Sequence, residues 1–190
     1  MSSDEAEQQH HLGNIHESID RANRLTEQLL TLARLDPMQA LPDAQPIDWQ
    51  RSAHQALQSV NLQAREKRVQ LKLECACGFG QVFPPLGNEV LLQLMLRNLL
   101  DNAIRYSPPN SHVTLTLDAN GLSVCDEGPG IAAEHLPRIR ERFYRPPGQS
   151  QQGSGLGLSI VERIADLHGL RLDLVNADER GLCVHMIKAV

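Results

Sequence analysis

The sequence predicts an α+β fold: a two-layer α/β sandwich, with a mixed sheet covered by helices on one face, preceded by an N-terminal coiled-coil-like helix. Three observations carry that reading. Helical and strand periods succeed one another from residue 47 to the end; Asn120-Gly121 joins two alternating strands as a hairpin; and the first 36 residues hold a separate apolar stripe cut off by a proline-rich run. A chain of 190 residues is long enough for one domain with a real core plus an appendage.

Composition narrows the class. Apolar residues make up 41% and aromatics only 3%, so the core must be aliphatic. A net charge of -5 with charges mixed in sign argues against nucleic acid or an anionic membrane as the main partner. No stretch approaches the ~20 apolar residues of a membrane span, and MSSDEAEQQHH lacks the basic start and apolar run of a signal peptide. The piece is therefore expected to be soluble, without direct membrane contact. Cys75, Cys77, Cys125 and Cys183 form neither a disulfide framework nor zinc-spaced pairs, and are expected to be reduced. Cys75 and Cys77 fall on one face of a predicted strand.

From Leu12 to Leu35, apolar residues at Leu12, Ile15, Ile19, Ala22, Leu25, Leu29 and Leu32 fall three or four apart, with Ala33 beside the last. That is an amphipathic helix able to pair in a bundle, expected with a second copy; the alternative is a helix folded back on its own domain. Asp36-Pro37 ends it, and the run to Pro46 holds three prolines without periodicity. The predicted units are thus 1–36 as helix, 37–46 as linker and 47–190 as the main domain.

Within that domain a short strand is predicted at Ile47 to Trp49, then a helix from Arg51 to Lys67. Val69, Leu71 and Leu73 alternate as a strand, and Gln81 to Phe83 is a candidate short strand. Asn88 caps a long helix that runs to Tyr106 and stops at Ser107-Pro108. Val113 to Leu117 and Leu122 to Cys125 are the hairpin strands. A short helix is a candidate from Ala133 to Ile139. A helix opens at Gly153 to Gly157 and continues through His168, and two strands, Leu170 to Val175 and Leu182 to Ile187, follow across a turn near Glu179. The stretch from Asp126 to Gln152 has little pattern, and so long an irregular segment in a compact domain reads as a functional lid.

Four stretches carry chemistry. On the long helix Asn98, Asn102 and Arg105 share one face within an otherwise leucine-rich segment. Alone, the two amides are read equally well as satisfying nearby backbone. Asp126-Glu127-Gly128-Pro129-Gly130 follows a strand end, where glycine admits a ligand close to backbone and the carboxylate accepts from an exocyclic amine. Gly153-Ser154-Gly155-Leu156-Gly157-Leu158 opens a helix whose free N–H groups suit phosphates. It is no Walker A sequence, because no Gly-Lys-Ser/Thr follows. Between the two glycine-rich stretches lies Phe143-Tyr144-Arg145.

In that order these stretches resemble the N, G1, F and G2 boxes of the ATP-binding catalytic domain of sensor histidine kinases, the fold shared with gyrase and Hsp90 ATPases. The resemblance covers 47–190, and LTEQLLTLARLD resembles the end of the second dimerisation helix. ERFYRPPGQSQQGSGLGLSIVERIADLHG is similar to QseC-like members, which work with OmpR-type response regulators. The resemblance implies ATP and Mg2+ as cofactors, Asn102 as the magnesium-binding amide with Asn98 as its phosphate-side partner, Arg105 as the cation near the phosphates, and Tyr106 packing near the nucleotide. It implies Asp126 as the adenine acceptor, Gly128, Gly130 and Ile131 shaping that pocket, and Phe143 and Arg145 in the lid. Gly153, Ser154, Gly155, Leu156, Gly157 and Leu158 would lie on the phosphates.

It further implies a homodimer through the dimerisation helices, a cytoplasmic position in an inner-membrane bacterial sensor, and transfer of the ATP γ-phosphate to a His for relay to a regulator Asp. The family's acceptor motif, His, an acidic residue and Leu-Arg-x-Pro, is absent; His16-Glu17 is followed by Ser18-Ile19-Asp20. The chain is therefore expected to bind ATP without phosphorylating itself. Two alternatives are a gyrase-, Hsp90- or mismatch-repair-type ATPase and a non-catalytic nucleotide scaffold. The first needs a carboxylate where Asn98 stands.

Overall fold

The computed structural model describes residues 19, 22, 23, 25–148, 153–177 and 180–189. The expected helix before residue 19, His16, the end of the irregular stretch at 149–152 and the turn at Glu179 lie outside them.

Helix α1 (residues 25–35) ends where Asp36 N donates to Leu32 O at 2.8 Å and Pro37 forbids continuation. Strand β1 (Gln45–Pro46) pairs antiparallel with β3 (Leu86–Gly87) in a small separate sheet. Between them run α2 (Trp49–Lys67), β2 (Gln70–Cys75) and a 3-10 turn, Phe79–Gln81. The strand expected at Ile47 to Trp49 is not formed. Asp48 caps α2 instead, its Oδ1 accepting from Arg51 N at 3.0 Å, and Trp49 opens the helix with its indole donating to Pro84 O. The strand considered at Gln81 to Phe83 is likewise replaced by the 3-10 turn and the β3 bridge further on.

Helix α3 (Glu89–Tyr106) has the expected limits, and Asn88 Oδ1 accepts from Leu91 N at 3.1 Å. The hairpin of β4 (His112–Asp118) and β5 (Gly121–Asp126) turns where Asp118 Oδ1 accepts from both Asn120 N and Gly121 N. Helix α4 (Gly157–Leu167) and strands β6 (Leu170–Asn176) and β7 (Leu182–Lys188) complete the chain. The Ala133 to Ile139 stretch forms a run of turns, such as His135 N to Ala132 O and Arg138 N to His135 O, in place of a helix.

The main sheet has five strands in the order β2-β4-β5-β7-β6, with β2 and β4 parallel and the other pairs antiparallel. Alternation sends Val113, Leu115, Leu117, Leu122, Val124 and Met186 to the face covered by α3 and α4, where they meet Leu96, Leu100, Ile160 and Ile164. Each side chain so buried contributes about 1.5–3 kcal/mol, and all of these are aliphatic, as the composition required.

Two expectations are corrected by packing across elements. Cys125 and Cys183 stand directly opposite in the β5–β7 ladder and form a disulfide, while Cys75 and Cys77 are free. Cys75 closes β2 and Cys77 lies in the bend beyond it, so they share no strand face.

The last turns of α1 fold back on the main domain. Leu32 and Leu35 join the core, Arg163 of α4 donates to the carbonyls of Leu35, Asp36 and Met38, and Arg142 pairs with Asp36 at 2.6 Å. Leu29 and Leu30 remain exposed. No helix among the described residues is long and apolar enough to cross a membrane.

Candidate functional site

A cavity opens over the C-terminal half of α3, bounded by the end of β5, the irregular segment after it and the start of α4. Its α3 wall carries Asn98, Asn102, Arg105 and Tyr106 on one face, as their spacing requires. The wall is braced from outside. Lys67 of α2 reaches the C-terminal carbonyls of α3, donating to Ile104 O at 2.9 Å and to Arg105 O. Burial, and then the Arg105 charge, lower the Lys67 pKa.

Asn98 has two roles at once. Its Nδ2 donates to Leu94 O at 2.8 Å, which is the backbone satisfaction considered from sequence, while its Oδ1 faces the first residue of α4. A Cβ on Gly157 would stand 3.3 Å from Asn102 Nδ2 and 3.4 Å from Asn98 Oδ1. Glycine at this position lets the α4 start approach the amide pair. Leu156 precedes it as a helix start with no side-chain cap, so the first N–H groups of α4 are open to an anion. On the same side a Cβ on Gly153 would come within 2.9 Å of Arg105 Nη1.

At the opposite end Asp126 is 8% exposed. Its Oδ1 accepts from Gly128 N at 2.7 Å and from Leu182 N at 3.2 Å. Burial raises its pKa, and the two backbone hydrogen bonds oppose that rise. Gly128 itself lies against Tyr106 O, tying this loop to the end of α3.

Most of the site residues expected from sequence line this one cavity: Asn98, Asn102, Arg105, Tyr106, Asp126, Gly130, Ile131, Arg145, Gly153, Ser154, Gly155, Gly157 and Leu158. Three do not. Gly128 supports Asp126 from behind, and Leu156 is fully buried in the core. Phe143 is 58% exposed with positive φ, held by its N–H to Gly155 O, so it shapes the Gly155 backbone and leaves the wall to Tyr144. Tyr144 is fixed by His135 at 2.8 Å and by Arg138 stacked 4.2 Å over its ring.

Sequence reasoning missed Gln28, which lines the cavity from α1 and accepts from Ser154 Oγ at 2.6 Å, and Leu182, whose backbone holds Asp126. No motif marks either. Among the described residues no group of three or more His, Cys, Asp or Glu is placed to hold a metal. Hard oxygen donors on the α3 wall include the Asn98 and Asn102 amides, and Asp101 also lines the cavity.

Residues 87–189 match the family model described as histidine kinase-, DNA gyrase B- and HSP90-like ATPase. The sensor protein QseC of Escherichia coli strain K12 is 46% identical over 167 residues, 88% of this chain and 36% of that protein. The sensor protein kinase PmrB of Pseudomonas aeruginosa is 36% identical over 81% of this chain and 32% of its own length. The chain thus spans about a third of the length of these curated relatives. Among solved structures, the cytoplasmic segment of histidine kinase QseC superposes with a TM-score of 0.62 at 34% identity, covering 90% of this chain and 93% of that one. Full-length ShkA in complex with AMPPNP reaches a TM-score of 0.75 at 25% identity, covering 97% of this chain and 40% of that one.

Proposed function

The chain belongs to the histidine kinase-, DNA gyrase B- and HSP90-like ATPase family, and on that premise we propose that it is the ATP-binding catalytic part of a two-component sensor histidine kinase. The observation that carries this reading is one cavity with a buried carboxylate at one end and, at the other, the paired amides of α3 set against the uncapped start of α4. The proposed units are 1–36 as part of a dimerisation helix, 37–46 as linker and 47–190 as the catalytic domain. ShkA, solved with AMPPNP, supports a nucleoside triphosphate as ligand.

Asp126 orients the base. Its Oδ1 is engaged by two backbone N–H groups, which leaves Oδ2 to accept from the exocyclic amine of adenine. The start of α4 and the Gly153–Gly157 backbone receive phosphate oxygens, and Arg105 brings a cation to them. Tyr144 and Arg145 close over the cavity from the lid. Asn102, with Asn98 beside it, presents amide oxygens of the kind Mg2+ takes alongside phosphate oxygens, and the residues present fit that ion. When bound, the ion neutralises charge on the transferring phosphoryl group.

Asn98 also decides against a second reading. A gyrase- or Hsp90-type ATPase needs a base one turn before Asn102, but an amide whose Nδ2 is committed to Leu94 O takes no proton from water. Slow hydrolysis, below roughly one turnover per second, is expected. The partners we propose are a second copy joined through dimerisation helices and an OmpR-type response regulator, with the chain on the cytoplasmic side of an inner-membrane sensor.

The 190 residues hold no His of the family's acceptor pattern. The test therefore supplies a separate acceptor helix together with labelled ATP and magnesium. Acid-labile phosphohistidine on the acceptor is the expected result. Nucleotide binding without transfer would leave a scaffold, and rapid phosphate release would favour an ATPase.

A further inference from the structure

The Asp126 end of the cavity is held from behind by the strands β6 and β7, which no sequence motif marked. Asn176, the last residue of β6, pairs with both backbone groups of Ile131. Its Oδ1 accepts from Ile131 N at 2.8 Å and its Nδ2 donates to Ile131 O at 2.7 Å. Only an amide offers an acceptor and a donor side by side in that way. The fit depends on Gly130, because a Cβ there would lie 2.7 Å from Asn176 Oδ1. Further along, Arg180 Nε donates to Glu127 O at 2.7 Å, and Leu182 N reaches Asp126. The loop from Asp126 to Ile131 is thus clamped at both ends by residues 45 to 56 positions downstream.

Asn176 does not line the cavity, whereas Gly130, Ile131 and Asp126 do. It therefore acts on a ligand only through the loop. We propose that Asn176 is a positioning residue for base selection: by fixing Ile131 it sets the gap beside Asp126 in which a 6-aminopurine is accepted and a 6-oxopurine is refused. The inference rests on the nucleotide reading above and deepens it. A carboxylate acceptor discriminates between amino and oxo groups only while the base is held at hydrogen-bonding distance, because an oxo group against a carboxylate leaves two acceptors face to face.

The test is calorimetric titration of the 190-residue chain and its Asn176→Ala and Asn176→Asp variants with ATP and with inosine triphosphate, which carries oxygen in place of the amine. The wild-type chain is expected to prefer ATP by about tenfold or more, the scale of one well-made hydrogen bond. In Asn176→Ala, ATP affinity is expected to fall about tenfold while inosine triphosphate changes less than twofold. Asn176→Asp keeps the acceptor for Ile131 N but sets an oxygen against Ile131 O, and is expected to lose at least as much.

Failure of the wild-type chain to bind either nucleotide would overturn the proposed function itself. Binding of both without preference would overturn base reading by Asp126, and this inference with it. With the wild-type preference present, folded variants that keep it, or that lose both nucleotides equally, sink the inference alone. Unfolding of both variants, seen by circular dichroism, assigns the clamp to the fold and overturns it equally.

Discussion

The two ends of the cavity are built differently. The Asp126 end, where we propose the base lies, is tied to main chain: Asp126 is held by two main-chain N–H groups, Ile131 is paired in both directions by Asn176, and Gly181 is pressed against Asp126 O. The end where α3 meets α4, where we propose the phosphates lie, is assembled from side-chain termini and loop backbone: Arg105 near Gly153, Ser154 on Gln28, Arg145 and Tyr144 from a segment without regular structure. The Asp126 end is therefore held by cross-strand hydrogen bonds, whereas the opposite end sets the amide pair of α3 and the start of α4 beside a segment without regular structure.

The comparison is most sharply tested at the amide pair. Asn102→Ala is expected to lower transfer to a supplied acceptor at least about 100-fold, the scale seen when a preorganised polar group is lost, with the folded spectrum retained. Adenosine, which lacks phosphates, should bind this variant as it binds the parent in the same titration.

Glycine substitutions separate the ends next. At Gly181 a Cβ would sit 1.8 Å from Asp126 O, at φ +111, so Gly181→Ala must displace backbone and should cost about 2–4 kcal/mol in urea unfolding. At Gly153 the obstacle is Arg105 Nη1 at 2.9 Å, the end of a flexible side chain. Gly153→Ala should stay within about 0.5 kcal/mol of the parent. Equal losses at both positions would erase the distinction.

Ionisation gives a smaller, signed contrast. Burial raises the folded-state pKa of Asp126 above its ordinary 3.8, so the native state holds this proton more tightly than the unfolded chain. Its contribution to stability is complete below 3.8 and is lost as pH rises through the folded value. Asp126→Asn should therefore match or exceed the parent in stability at pH 7 while losing ATP, because the base amine then faces an amide donor. His168 has the opposite sign. It bridges Ile164 O and Asn88 N while buried, and burial lowers its pKa from 6.5, so the stability it confers is present above 6.5 and lost as pH falls below that value. Urea melts across pH 5 to 7 should slope in the parent and flatten in His168→Gln.

The smallest effect is expected from Arg142→Ala, which removes the ion pair to Asp36. Both side chains are about half exposed, so stability should move by no more than about 1 kcal/mol in the same melts.

What the sequence disclosed follows the range of its signals. Helix α3 with its Asn88 cap and the β4–β5 hairpin are written in local periodicity and turn chemistry, and both appear where expected. Asn98 and Asn102 stand out only together with the two glycine-rich stretches, and residues of all three line the one cavity. Trp49 opens α2 and does not end a strand, because Asp48 caps the helix directly before it. The Cys125–Cys183 pair depends on strand register across 58 residues, and Asn176 and Leu182 depend on the same register, which no local pattern encodes. The apolar stripe of helix α1 is expected to pair with a second copy, the alternative being a fold back on its own domain; its last turn takes the alternative, while Leu29 and Leu30 stay exposed. Leu32 and Leu35 went to the domain core, and Gln28 arrived in the cavity with them.

β5 and β7 are neighbours in the sheet, yet the chain between them carries the whole irregular segment, α4 and β6 before it returns. The irregular part is thus a loop with both ends pinned to finished structure, at Asp126 and at Gly157. In polymer terms, lengthening such a loop is cheap: the closure entropy grows only with the logarithm of its length, about 0.6 kcal/mol for each doubling. Residues inserted near Gly148, where the surroundings are open, would barely register in the folding equilibrium. The length of this loop is therefore a variable that the topology leaves to function alone.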